Sequence, residues 1–249
     1  MSSTETPRKS RPIWKRWRVI VPALAAIPLL AVGLDCAARV FAESQTADAF
    51  QRATGASTSP HVRIGGTPVL TQMARGTLDR VDISAKQIPA GADSPVPISD
   101  LNVHMTKVKK GSDANGAHAG SATATAFVSY QDLSDALGIE VKAGSAPGHI
   151  AATVMVPMIG ELTVNAQVVK GGPASIAFKD VSVASDQLPE SARDLISGIF
   201  DRDIPLDNIP KGLTLDRIST GSTGLSVELS GHDVTFKTSG SSTATQSHM

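Results

Sequence analysis

The chain has 249 residues, 41% of them hydrophobic but only 4% aromatic, so any core is aliphatic. Its 23 basic and 23 acidic residues cancel, yet Arg8, Lys9, Arg11, Lys15, Arg16 and Arg18, with one acid, Glu5, all fall in the first 18 positions, leaving a mildly acidic body. Such a body excludes nucleic acid as the expected partner, because phosphate binding needs a basic face, and a single cysteine, Cys36, excludes an internal disulfide framework or a cysteine-rich zinc site.

Residues 1–18 form a basic segment, and Val19 to Leu34 carries no charge. That run is about the shortest able to span a bilayer, which takes roughly 17 to 25 residues. Trp14 and Trp17 lie among the basic residues, where aromatic rings favour the headgroup zone. The positive-inside bias places 1–18 in the cytoplasm and the rest outside, as a single-pass cell-membrane protein. Two alternatives stay open. Val40-Phe41-Ala42 suits signal cleavage after Ala42, which would make the body secreted. Cys36 suits lipidation, although Asp35 stands where a small residue is wanted.

The body is expected over 35–238, with a disordered low-complexity tail at 239–249. Asp35 to Thr54 reads as a helix, with Ala38, Phe41, Ala42, Gln45, Ala49, Phe50 and Ala53 on a mostly apolar stripe opposite Asp35, Arg39, Glu43 and Asp48. Gly55 stops it. A strand at 61–64 leads into "IGGTPVLTQMARG", a short helix with Pro68 in its first turn and Val69, Leu70 and Met73 on one apolar face, ended by Gly76. "TLDRVDISAK" alternates, as does "VPISDLNVHMTKV", with Leu101, Val103 and Met105 on one side. Lys107 to Gly120 reads as a polar hairpin loop. A strand over 122–130 runs into "QDLSDALGI", a second short helix with Leu133, Ala136 and Leu137 inward. Strands follow at 150–157, 161–170 and 174–184, with a tight turn at Gly171-Gly172. "LPESARDLISGIFD" is a third helix, with Leu188, Ala192, Leu195, Ile196 and Ile199 on one stripe. Strands at 213–219 and 225–229 hinge at "TGSTG", and "HDVTFK" closes the sheet. This order lacks repeating β-α units, so an α+β fold with a mainly antiparallel sheet and helices on one face is expected.

The chain carries no nucleophile elbow, zincin motif, phosphate loop or dinucleotide fingerprint. Its histidines are scattered, and His104 sits on the polar phase of a strand. Asp201, Asp203 and Asp207 cluster, but the glycine that bends a calcium loop is missing. No catalytic residue, metal or cofactor is therefore expected. "KVKKG" at 107–111 could meet acidic headgroups, though a solvated hairpin tip explains it more simply. What remains is aliphatic surface without chemistry: a filled core, or a groove for an acyl chain. If a groove, its lining comes from Val69, Leu70, Met73, Leu101, Val103, Met105, Leu133, Leu137, Leu195, Ile196 and Ile199.

"VRIGGTPVLTQMARGTLDRVDISAKQIP" resembles the first signature of the LmeA-like phospholipid-binding proteins of actinobacterial envelopes, matching at Ile64, Gly65, Gly66, Pro68, Leu70, Thr71, Gln72 and Gly76. Thr67 and Val69 stand where the family often carries aromatics. "PISDLNVHMTKV" is similar to its second block (Ser99, Asp100, Leu101), and "ATAFVSYQDLSDAL" to its third (Ala124, Tyr130, Asp132, Leu133). Asp35, Ala37 and Arg39 are also in keeping. The resemblance covers about 35–237. It implies a long curved sheet wrapped around a few short helices, like the tubular lipid-binding folds, with an apolar cavity and no catalytic residues. It implies phospholipid and the cell membrane as partners and a part in envelope lipid or lipoglycan metabolism. A non-catalytic envelope scaffold with a filled core, its protein partner unidentified, is the alternative. An enzyme built on the three aspartates is a third reading.

Overall fold

The computed structural model describes residues 14–90, 96–111, 116–156, 160–183, 200, 203–206 and 209–237, and within the first helix its side chains from residue 32. That helix, α1 (Trp14–Thr54), runs without a break through 41 residues, roughly 60 Å at 1.5 Å per residue. Gly55 ends it in the left-handed region, φ +67, its N–H donating to the Gln51 carbonyl. Among the residues whose side chains are described, no helix is long and apolar enough to cross a membrane. Only the last three residues of the uncharged run, from Val32, are among them.

The strands are β1 (His61–Gly65), β2 (Thr77–Ile88), β3 (Ile98–Lys110), β4 (Gly116–Ser129), β5 (Glu140–Ala143), β6 (His149–Val156), β7 (Gly160–Gly172), β8 (Ser175–Val183), β9 (Ile204–Pro205), β10 (Lys211–Thr220) and β11 (Gly224–Lys237). Short helices α2 (Val69–Ala74) and α3 (Tyr130–Leu137) interrupt them. One sheet has the order β1-β2-β3-β4-β11-β10 and the other β5-β6-β7-β8-β9; every pairing is antiparallel and neither sheet closes on itself. The α+β class expected from the sequence is thus the one found, with two sheets in place of one. The chain lays down four strands, crosses through α3 to build the second sheet, then returns so that β11 pairs with β4. The sheets meet where the Leu215 N–H of β10 donates to the Pro173 carbonyl at 2.7 Å, in the turn between β7 and β8.

Several boundaries differ from the sequence reading. The polar loop over 107–120 shrinks, because β3 runs to Lys110 and β4 starts at Gly116. "HDVTFK" is no separate strand but the end of β11. Lys107 (φ 52) and Asp233 (φ 51) are left-handed residues that break the alternation from which strands are read. Gly171 and Gly172 belong to β7, and the turn falls at Pro173-Ala174. The four-residue β5 had no sequence signal long enough to register. The third predicted helix, with Leu195, Ile196 and Ile199, and the tail at 239–249 lie outside the described residues.

The docked face of α1 also differs. Phe41, Gln45, Ala49 and Ala53 of the predicted inward stripe are exposed, whereas Ala42, Ala47 and Phe50 pack on the core. Asp35, Arg39 and Glu43, one helical turn apart, face the body. Glu43 Oε1 accepts from the Ile64 N–H (2.8 Å), Arg39 donates to the Gly66 carbonyl (2.9 Å), and Asp35 Oδ1 accepts from the Leu70 N–H (2.9 Å). The segment from β1 into α2 leaves backbone groups that neither element pairs. A charged ladder on α1 satisfies them, and at Ile64 it also covers an edge strand.

Candidate functional site

Strand alternation sends every second side chain to one face, and the registers align these across the six-stranded sheet. One inner row runs Ile64, Val81, Met105, Ala122, Gly231, Leu213. The next runs Val62, Ile83, Val103, Ala124, Leu229, Leu215, and the third Ala85, Leu101, Ala126, Val227, Ile218. In every row β4 contributes alanine. In the second and third rows larger residues of β3 and β11 stand on both sides of that alanine, two strand spacings or roughly 10 Å apart, while in the first row β11 contributes Gly231. The geometry is that of a trough. The opposite face is polar: Ser84 donates to Asn102, Thr106 and Ser121 share a hydrogen bond, and His104 contacts Asp82.

The trough closes at one end and opens toward the other. In the first row Ile64, Val81, Met105 and Ala122 are buried beneath α1 and α2, in one cluster with Val69, Ala42 and Phe50. In the second, Val103 and Leu229 are half-buried. In the third, Leu101, Ala126, Val227 and Ile218 all are. Among the described residues the buried core splits into four clusters, and Ala126, Val128 and Val227 belong to none. A domain usually has one contiguous core with small satellites. A half-covered aliphatic strip inside a fold is what a hydrocarbon-binding groove requires.

No titratable side chain enters these rows, and among the described residues no group of three or more His, Cys, Asp or Glu could hold a metal ion. The perturbed groups lie past the open end and fasten α3. Ser129 caps α3, its hydroxyl accepting from the Asp132 N–H at 3.0 Å, and the Ser99 hydroxyl donates to Asp132 Oδ2 at 2.6 Å. The Ser99 hydroxyl foremost, and the Ser129 hydroxyl after it, hold the Asp132 carboxyl below the usual carboxylate range. Burial pushes the Tyr130 phenol up, and its hydroxyl donates to the Gly221 carbonyl at 3.0 Å.

The residues expected to line a groove fall in different places. Val69, Val103 and Met105 share the cluster under α1, Val69 with no exposed surface. Leu101 packs with Ala85 and Ile88, and Leu133 with Tyr130. Leu70, Met73 and Leu137 are 42%, 43% and 53% exposed. Of the expectation that Val69, Leu70 and Met73 face the strand interior, Val69 meets it, and Leu70 and Met73 are corrected to exposed positions. A six-residue helix presents one i, i+3 pair to the body, and here that pair is Val69 with Gln72. Leu195, Ile196 and Ile199 lie outside the described residues, as do Asp201 and Asp207; Asp203 accepts a hydrogen bond from Ser175.

Sequence reasoning placed Gln72 in the family signature but gave it no role; it is 1% exposed. Its Oε1 accepts from the Asp79 N–H (2.8 Å) and its Nε2 donates to the Gly65 carbonyl (3.3 Å), tying the end of β1 to the start of β2. Sequence reasoning missed the alanine floor; the signal was the i, i+2 spacing of Ala122, Ala124 and Ala126 in "SATATAF".

A family model for LmeA-like phospholipid-binding proteins matches residues 33–230. The chain belongs to the LmeA-like phospholipid-binding family. The matched span takes in the docked part of α1, the second sheet and the first sheet up to Ser230 in β11. No curated protein and no solved structure matches the chain significantly.

Proposed function

We propose that this chain is a membrane-anchored extracytoplasmic protein that seats phospholipid acyl chains in the trough between β3 and β11, in support of envelope lipid or lipoglycan metabolism. The observation that carries the reading is the third row, where Leu101, Ala126 and Val227 form a half-buried aliphatic strip over an alanine floor. Each tail methylene removed from water there contributes about 0.8 kcal/mol. The uncharged run Val19 to Leu34, continuous with α1, supports anchoring. The sheets wrapping helices in the manner of tubular lipid-binding folds belongs to the same proposal.

The test is photocrosslinking with a phospholipid bearing a diazirine on its acyl chain. Adducts are expected on Leu101, Val103, Val227 and Leu229. Adducts confined to the outer face, or none, contradict the site. The closed first row favours a second reading, a scaffold whose core is filled throughout. That reading predicts no adduct on any inner row.

A further inference from the structure

The sheet end beside α2 carries a feature that the trough does not use. Lys107 in β3 and Asp233 in β11 are left-handed without being glycine, and Gly212 in β10 (φ +98) continues the line. Regular alternation after Met105 would aim Lys107 inward. The left-handed residue gives the inward place to Val108, which packs on the core, and lays the Lys107 stem over Gly120. A Cβ on Gly120 would lie 3.1 Å from that of Lys107, so glycine there makes the room. Asp233 is treated alike, with the fully buried Val234 taking the inward place. Non-glycine residues in this conformation are sterically costly, and bulges of this kind re-aim side chains.

The bent strands enclose an outward concavity of about 710 Å³, lined by Arg75, Lys107, Lys109, His118 and His232 among others. Thr77 pairs with Lys109, Lys109 with His118, His118 with Thr235, and Thr235 with Lys211, so these groups share one end of the sheet. Arg80 and Lys110 adjoin them, and all six cations are exposed. Among the described residues none of the six is within salt-bridge distance of a carboxylate, whereas Lys86 and Lys142 elsewhere are paired. The carboxylates lining the concavity are Asp79 and Asp233, the second 3.7 Å from His118 Nε2, and Asp35 is bonded to the Leu70 N–H of α2. A body that is acidic overall has thus gathered unpaired cations in one place. From the same end α1 leaves the body with Val32, Leu34, Val40 and Phe41 exposed, and α2 adds Leu70 and Met73. Unpaired cations beside exposed aliphatic side chains fit a bilayer interface, where the cations meet phosphate and the aliphatics enter the acyl boundary.

We infer that this end of the six-stranded sheet docks on an anionic bilayer surface, with a lipid phosphate seated between Arg75, Lys107 and Lys109. The inference rests on the proposed anchoring for the membrane's proximity, but not on the trough. The full chain is reconstituted in nanodiscs of phosphatidylcholine, with or without phosphatidylglycerol, and amide exchange is followed over 75–80, 106–111 and 116–121. Exchange is expected to slow only in the anionic discs. The protection should vanish at high salt and in the Arg75→Gln, Lys107→Gln, Lys109→Gln variant. Each cation near an anionic surface is worth about fivefold in the docking equilibrium, so the triple variant loses roughly a hundredfold. Unchanged exchange over β7 shows that the variant is folded, and Lys109→Gln alone, with about a fivefold loss, serves if it is not. Equal exchange in the two disc types overturns the proposal. So does equal protection by inorganic phosphate in neutral discs, which marks a soluble-anion site. Lipid retained in the trough without protection at this end sinks the docking surface alone; protection without retained lipid sinks the trough alone.

Discussion

Gln72 bridges the Gly65 carbonyl and the Asp79 N–H, tying the end of β1 to the start of β2. Replacing it with leucine keeps the volume but removes both hydrogen bonds. Each is worth about 1 kcal/mol net, so Gln72→Leu is expected to lower the denaturant midpoint with the slope unchanged. A midpoint equal to wild type contradicts the bridge. Asp132 gives a pH-dependent counterpart. Its folded pKa is lowered, chiefly by the Ser99 hydroxyl. Its ionised form therefore stabilises the fold above the ordinary carboxylate range, and that contribution is lost as the pH falls through the folded value. Ser99→Ala removes part of it. The Tm gap between wild type and Ser99→Ala should be widest near neutrality and narrow on acidification below the ordinary carboxylate range. A gap that is constant with pH contradicts the assignment.

At the scale of elements, the charged ladder on α1 decides how the stem sits. The double variant Asp35→Ala, Glu43→Ala loses two hydrogen bonds, each worth about 1 kcal/mol net. Exchange at the Ile64 and Leu70 amides should accelerate while that of β7 stays as it was; no change at either amide means that packing by Ala42, Ala47 and Phe50 alone seats the helix. This ladder also shows what the sequence leaves unread. Asp35, Arg39 and Glu43 look like a solvated face because pattern reading assigns charge to water, whereas here the unpaired backbone of 64–70 sets the stronger demand. Strands with unbroken alternation were legible, as over Leu162, Val164, Ala166 and Val168, which are all buried. Where Lys107 or Asp233 turns left-handed, the phase of the alternation inverts after it, and the end of the strand was misread. The family resemblance was legible in "IGG" and "LTQ". Of the proposed trough, alternation put Leu101, Val103 and Met105 on one face of β3, whereas the spacing of Ala122, Ala124 and Ala126 fits any buried strand and singled out no floor.

Over the whole molecule, three aliphatic rows are buried near α2 and half-covered farther along, the gradient on which the proposed lipid groove rests. Ala126 lies at the open part of the floor, between Leu101 and Val227. In a filled core, a phenylalanine there forces its neighbours apart at a cost of about 1–3 kcal/mol. In an open trough the ring occupies space meant for a tail. The most direct measurement is therefore phospholipid retention by the purified full chain and by Ala126→Phe, read by native mass spectrometry alongside their denaturation midpoints. The account predicts phospholipid held by wild type, much less held by Ala126→Phe, and midpoints that stay close. A wild-type chain that holds no phospholipid, with Ala126→Phe clearly destabilised, would contradict it.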